Sequence, residues 1–152
     1  MGAPSSAITI SFDDSKVKLG IRNLATKLPS AMEDEMTPLM EQAQFEASGG
    51  YQGGNSYTVP TTYGQTYIRT GNYGRSTYVD RQGLTYKLKN NATSPTGQFY
   101  GVVVGGDGQG RGQGRDFVGR WPLRFAVMQK WAAVAIERMR SKIDAMIGDF
   151  GL

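Results

Sequence analysis

From Pro122 to Ile147 the chain carries no glycine and no further proline. That unbroken run constrains everything around it. Proline at a first helical position loses nothing, because its missing N–H would have no partner there. Ala, Met, Arg, Lys and Glu then favour the helical state, so a helix is expected over 122–147. At about 100° per residue, Phe125, Met128, Ala132, Ile136, Met139, Ile143 and Ile147 share one face and read as an ordinary core stripe. Leu123, Val127, Trp131 and Val134 lie on roughly the opposite face, until Arg138, Ser141 and Lys142 end that second stripe. A helix of a small domain needs one buried face. The second stripe therefore requires either more of its own chain or a neighbouring subunit.

Upstream of the helix, Phe99 to Val104 is a short apolar run that predicts a strand. Residues 105–119 follow as a loop in which Gly106, Gly108, Gly110, Gly112 and Gly114 fall at every second position. Arg111, Arg115 and Arg120 stand beside Phe117 and Trp121. Arginine with glycine and aromatics can bind nucleic acid by charge and stacking, which makes a nucleic-acid-binding module the alternative function. The plainer reading is a connector whose arginines keep it solvated. The loop is no phosphate cradle, because no Lys-Ser or Lys-Thr closes it and its glycines alternate strictly.

The rest of the chain supplies a sheet and a second helical layer. Ile8 to Phe12 alternates apolar and polar, the period of a half-buried strand. Over 15–47 a broken helix is expected. Val17, Ile21, Leu24 and Leu28 recur at helical spacing, Pro29 breaks the run, and Ser30 with Glu33 restarts it at capping-box spacing. Met32, Met36, Leu39, Met40, Ala43 and Ala47 form one side of the restarted segment, and Pro38 should kink it. Residues 48–66 turn to Gly, Ser, Thr, Tyr, Asn and Gln without periodicity and read as a flexible loop. Its tyrosines Tyr51, Tyr57 and Tyr63 favour ordering against another surface, and they join the second stripe as candidate subunit-interface residues. From 67 to 104 a β-meander is expected, with Asp80 to Gly83 as the turn of a hairpin. The reading is one α+β domain over 1–152. Its antiparallel sheet has about four strands, with the long N-terminal helical segment and the C-terminal helix packed on it.

Most catalytic constellations are missing. The sequence has no histidine and no cysteine, so the usual nucleophile pairs and zinc or transition-metal ligand sets cannot form. Asp13, Asp14, Glu33, Asp34 and Glu35 sit at helix starts, where capping and the helix dipole account for them. No enzyme activity, cofactor or metal is expected. Cysteine absence makes a reducing compartment the expectation, and no apolar run approaches the ~20 residues of a membrane span. A net charge of +4 permits contact with nucleic acid without demanding it. The 21 glycines point to much loop, or to segments that order only against a partner.

Taken together, the order of parts resembles the tail-component family of long-tailed bacteriophages, which supplies neck and tail-completion proteins. The residues that carry the resemblance are Leu28-Pro29, Arg69-Thr70-Gly71 with Ser76 beyond, Tyr100 through Gly105, and Trp121-Pro122-Leu123. In the family the Thr-Gly motif is usually followed by Leu and then Ser; here Asn72-Tyr73 intervenes. The strand ending that often reads Glu-x-Gly is Val104-Gly105-Gly106. The resemblance implies a structural virion protein, made in the host bacterial cytoplasm. It implies a homo-oligomeric ring, usually a hexamer, of the tail-terminator or head–tail joining type, contacting neighbouring neck and tail-tube proteins. DNA passing through such a ring would meet Arg111, Arg115 and Arg120 without sequence recognition.

Overall fold

The computed structural model describes residues 14–54, 56–60, 66–106, 114, 117–118 and 121–150; side-chain detail is absent for 56–69. The expected N-terminal strand at 8–12 lies outside these residues. The described chain is α+β, in the order α1 (Ser15–Ala47), β1 (Ser56–Pro60), β2 (Thr66–Thr70), α2 (Asn72–Arg75), β3 (Thr77–Gln82), β4 (Thr85–Asn90), α3 (Gly101–Gly105) and α4 (Arg124–Asp149).

α1 is continuous through both Pro29 and Pro38. This corrects the expected break at Leu28-Pro29. Each proline removes one backbone donor, but both rings sit on the exposed side, where the freed carbonyls meet water. The buried side is carried by Leu39, Met40, Ala43 and Ala47. The helix stops at Ser48-Gly49-Gly50. Gly49 and Gly50 take φ of 72° and 81°, which only glycine adopts freely. The Gly50 amide returns to Phe45 O at 2.9 Å.

The sheet differs from the expected four-stranded meander. Two separate antiparallel pairs form, β1 with β2 and β3 with β4. β1 falls inside the stretch read as flexible loop, with Ser56 opposite Thr70 and Pro60 opposite Thr66. The β3–β4 hairpin turns at Gly83-Leu84, with Gln82 opposite Thr85 and Gly83 at φ 59°.

The run Phe99–Val104 is a second correction. Apart from a single bridge between Phe99 and Thr93, it makes no strand; Gly101–Gly105 is one turn of helix. Its β-branched valines favour strands, but packing decides otherwise. Helical spacing puts Gly101, Val104 and Gly105 on one buried side. There a Cβ on Gly101 would come 2.6 Å from Asn90 Oδ1, and one on Gly105 would overlap the Tyr73 hydroxyl.

Two small apolar clusters hold the fold. Tyr73, Ala92, Val104 and Trp121 form one, with Tyr100 and Phe117 against it. The other joins Met40, Ala43 and Ala47 of α1 to Val127 of α4. Val79, Tyr86 and Leu88 from the hairpin and Trp131 from α4 pack over that second cluster. The two long helices run antiparallel, so Lys130 meets Glu46 while Lys27 lies over the Phe150 ring. The core is thin: the largest fully buried side chains among the described residues are Leu39 and Thr77.

α4 buries part of each apolar stripe: Met128 of the expected core stripe packs on the second cluster, beside Val127 and Trp131 of the other. Val127 is buried and Trp131 half-buried against α1, whereas Phe125 and Ile136 of the presumed core stripe are 46% and 63% exposed. Periodicity identifies two apolar faces but cannot say which of them α1 will cover.

Candidate assembly surfaces

The residues proposed for a subunit interface divide. Val127 is enclosed by Met40, Ala43 and Ala47 of its own chain, so it has no free surface for a neighbour. Trp131 stays half-buried, and its Nε1 donates to Glu46 Oε2 at 2.9 Å. Val134 is half-buried, while Leu123, just before the helix, is exposed. Tyr51 also serves its own fold. Its hydroxyl donates to Gly54 O at 3.1 Å, and its ring fills the space above Gly74. Tyr57 lies in β1 opposite Arg69. Tyr63, Arg111, Arg115 and Arg120 fall outside the described residues.

What the structure leaves uncovered is different from what periodicity selected. One surface is the outer side of α4. Phe125 and Ile136 are eleven residues apart, which returns them to nearly the same angle on the helix. Phe125 also closes a groove of about 290 Å³ with Tyr78, Leu88, Phe99, Val102 and Met128. Phe99 is exposed there as well. Arg124 gives this groove a positive edge, and Lys89 beside it is paired with Asp80. Arg124 is held in place by Gly106 O, which accepts from its Nη2 at 2.5 Å and from its Nε at 3.2 Å.

The other surface is the first half of α1. α4 ends at Asp149, level with Lys27 of α1, so the turns before Lys27 run on without it. Residues 15–26 would extend about 18 Å at 1.5 Å per residue. Val17, Leu19 and Ile21 are 49%, 59% and 54% exposed. Val17 and Ile21 continue the stripe that faces the core further along the helix, whereas Leu19 lies on the opposite side. An isolated helix of this length is marginal in water, so this arm is a surface in want of a partner.

Polar order braces the rest. Asn90 is buried; its Nδ2 donates to Tyr73 O at 2.8 Å and Thr77 Oγ1 at 2.7 Å. Its Oδ1 accepts the Ala92 amide at 2.9 Å. Arg81 pairs with Glu33 at 2.5 Å, tying the hairpin to α1. That hydrogen bond holds the Glu33 carboxyl below its usual range. No local sequence signal announces a pair separated by 48 positions. Among the described residues no three carboxylates converge as a metal site, and no helix is long and apolar enough to cross a membrane.

No family model, curated protein or solved structure matches this chain.

Proposed function

We propose that the chain is a self-assembling structural subunit, a ring-forming neck or tail-completion protein of a tailed bacteriophage, with no catalysis of its own. The observation that carries the reading is the uncovered apolar surface at two separate places. One is the protruding arm of α1 with Val17, Leu19 and Ile21; the other is the Phe125–Ile136 side of α4 with its groove. Contiguous exposed apolar surface in a soluble domain marks an interaction site. Two different surfaces suit a head-to-tail contact, which closes into a ring when the rotation allows. The order of sequence motifs, from Leu28-Pro29 to Trp121-Pro122, supports this reading through its resemblance to the tail-component family.

Light scattering behind a sizing column, over a range of concentrations, tests this. The expected result is a discrete ring, hexameric by the family resemblance, visible as an annulus in negative stain. A single-chain mass at every concentration, with no capture by purified tails, would count against it.

A further inference from the structure

Charge is segregated along α1. Its first half carries Lys16, Lys18, Arg22 and Lys27 and no acid between residues 15 and 28. Its second half carries Glu33, Asp34, Glu35, Glu41 and Glu46 and no base between 29 and 47. One continuous 33-residue helix joins them. A helix of that length spans about 50 Å and cannot fold back on itself, so the two halves can meet only between chains.

The fold neutralises part of each half. Glu33 takes Arg81, Glu46 takes Lys130, Glu35 lies 4.0 Å from Lys142, and Lys18 pairs with Asp14. Among the described residues Asp34 and Glu41 are exposed without an ion pair, and so are Lys16 and Arg22. Asp34 and Glu41 are seven residues apart and share a face. Beside Glu41 the exposed Phe45 ring borders a groove of about 220 Å³ with Gln44, Ser48 and Tyr51. The basic half sets exposed Leu19 between its free cations, and the acidic half sets the exposed Phe45 ring on the same face as its free carboxylates.

We infer that the basic first half of α1 docks on the acidic outer face of the second half of α1 in another copy of this chain. Lys16 and Arg22 face Asp34 and Glu41, with exposed Leu19 between them on the same side of the helix. The groove at Phe125 is not the arm's seat, because Arg124 lines it and no carboxylate does, while Lys89 is already paired with Asp80. The inference rests on the self-assembly reading and specifies its contact.

Charge exchange tests it. Full-length Lys16→Glu/Arg22→Glu and Asp34→Lys/Glu41→Lys change exposed positions only, and circular dichroism checks that both remain folded. In light scattering each variant alone should fall to the single-chain mass under conditions where wild type assembles. An equimolar mixture should recover the assembled mass, since the acidic arm of one now matches the basic face of the other. Wild-type assembly should also weaken as salt is raised, as surface charge contacts do. Leu19→Ser should weaken assembly while remaining helical. Assembly of both charge variants at wild-type strength would overturn this contact and leave the ring reading standing. So would disruption of both variants without recovery on mixing. A wild type that never assembles would overturn both.

Discussion

Trp131 and Glu46 bind the two long helices to each other: the indole Nε1 donates to the carboxylate at 2.9 Å, and Lys130 Nζ reaches the same oxygen at 2.7 Å. A residue of the second stripe, which periodicity leaves to either its own chain or a neighbour, is thus part of the seam between α1 and α4. Trp131→Phe keeps most of the ring's packing and removes the hydrogen bond, so it should cost about 1 kcal/mol. Trp131→Ala adds a void over Val127 and should cost about 3 kcal/mol. Urea unfolding at fixed protein concentration measures both. Equal losses would mean that the ring's packing adds nothing.

Asn90 should be the most sensitive polar position. Its side chain satisfies Tyr73 O, Thr77 Oγ1 and the Ala92 amide at once. Asn90→Ala strands buried partners, each worth about 1–3 kcal/mol when left unsatisfied. The expected loss is therefore about 2–4 kcal/mol, read from the shift in urea midpoint. Asn91→Ala, one residue away and exposed, should change stability by less than about 0.5 kcal/mol.

Tyr73 carries the opposite lesson. Its hydroxyl is buried without a hydrogen-bond partner among the described residues. Burial pushes its pKa up to about 12, with nearby Arg124 opposing in part. The folded value lies above the unfolded one near 10, so this stability is complete below pH 10 and is lost as pH rises through 12. Tyr73→Phe should match or exceed wild type by about 1 kcal/mol at neutral pH. It should also lack that part of the alkaline loss. Thermal melts from pH 7 to 12 compare the two; a variant weaker than wild type at pH 7 would show that the hydroxyl has a use.

On the acid side the surface pairs set the slope. Hydrogen bonding from Arg81 lowers the Glu33 pKa from 4.5, and bonding from Lys89 lowers the Asp80 pKa from 3.8. Both carboxyls have depressed folded values, so their contribution is present above the unfolded pKa and disappears as pH falls through the folded one. Arg81→Gln should be less stable than wild type above pH 4.5, and the gap should close on acidification below it. Because these groups are exposed, added salt should shrink the same gap.

Gly74 is the steric counterpart. A Cβ there would run into the Tyr51 ring, so Gly74→Ala should cost about 1–3 kcal/mol by overpacking. In a Tyr51→Ala background the same change should cost much less, a non-additivity that a double-mutant cycle reads directly. Additive losses would separate Tyr51 from Gly74.

Some of this architecture is local and was readable from residues alone. The C-terminal helix follows from the absence of glycine and proline after Pro122, and the β3–β4 hairpin from a turn at Gly83 between alternating strands. The end of α1 follows from Gly49-Gly50, and its segregated charges from counting. These depend on propensity, period and turn chemistry, which act over a few residues. Which face of α4 is core was decided only when α1 lay across Val127 and Trp131, because two apolar stripes on one helix are equivalent until something covers one. The valines at 102–104 lie in a helical turn whose buried side, Gly101 and Gly105, sits against Asn90 and Tyr73 with no room for a Cβ, a contact made by distant residues. Asn90 became a buried brace for the same kind of reason: Tyr73 O and Thr77 Oγ1 are brought to it by α2 and β3, elements its own neighbourhood does not encode. Local chemistry chose the elements, and long-range contact chose which of their surfaces would be left for another chain.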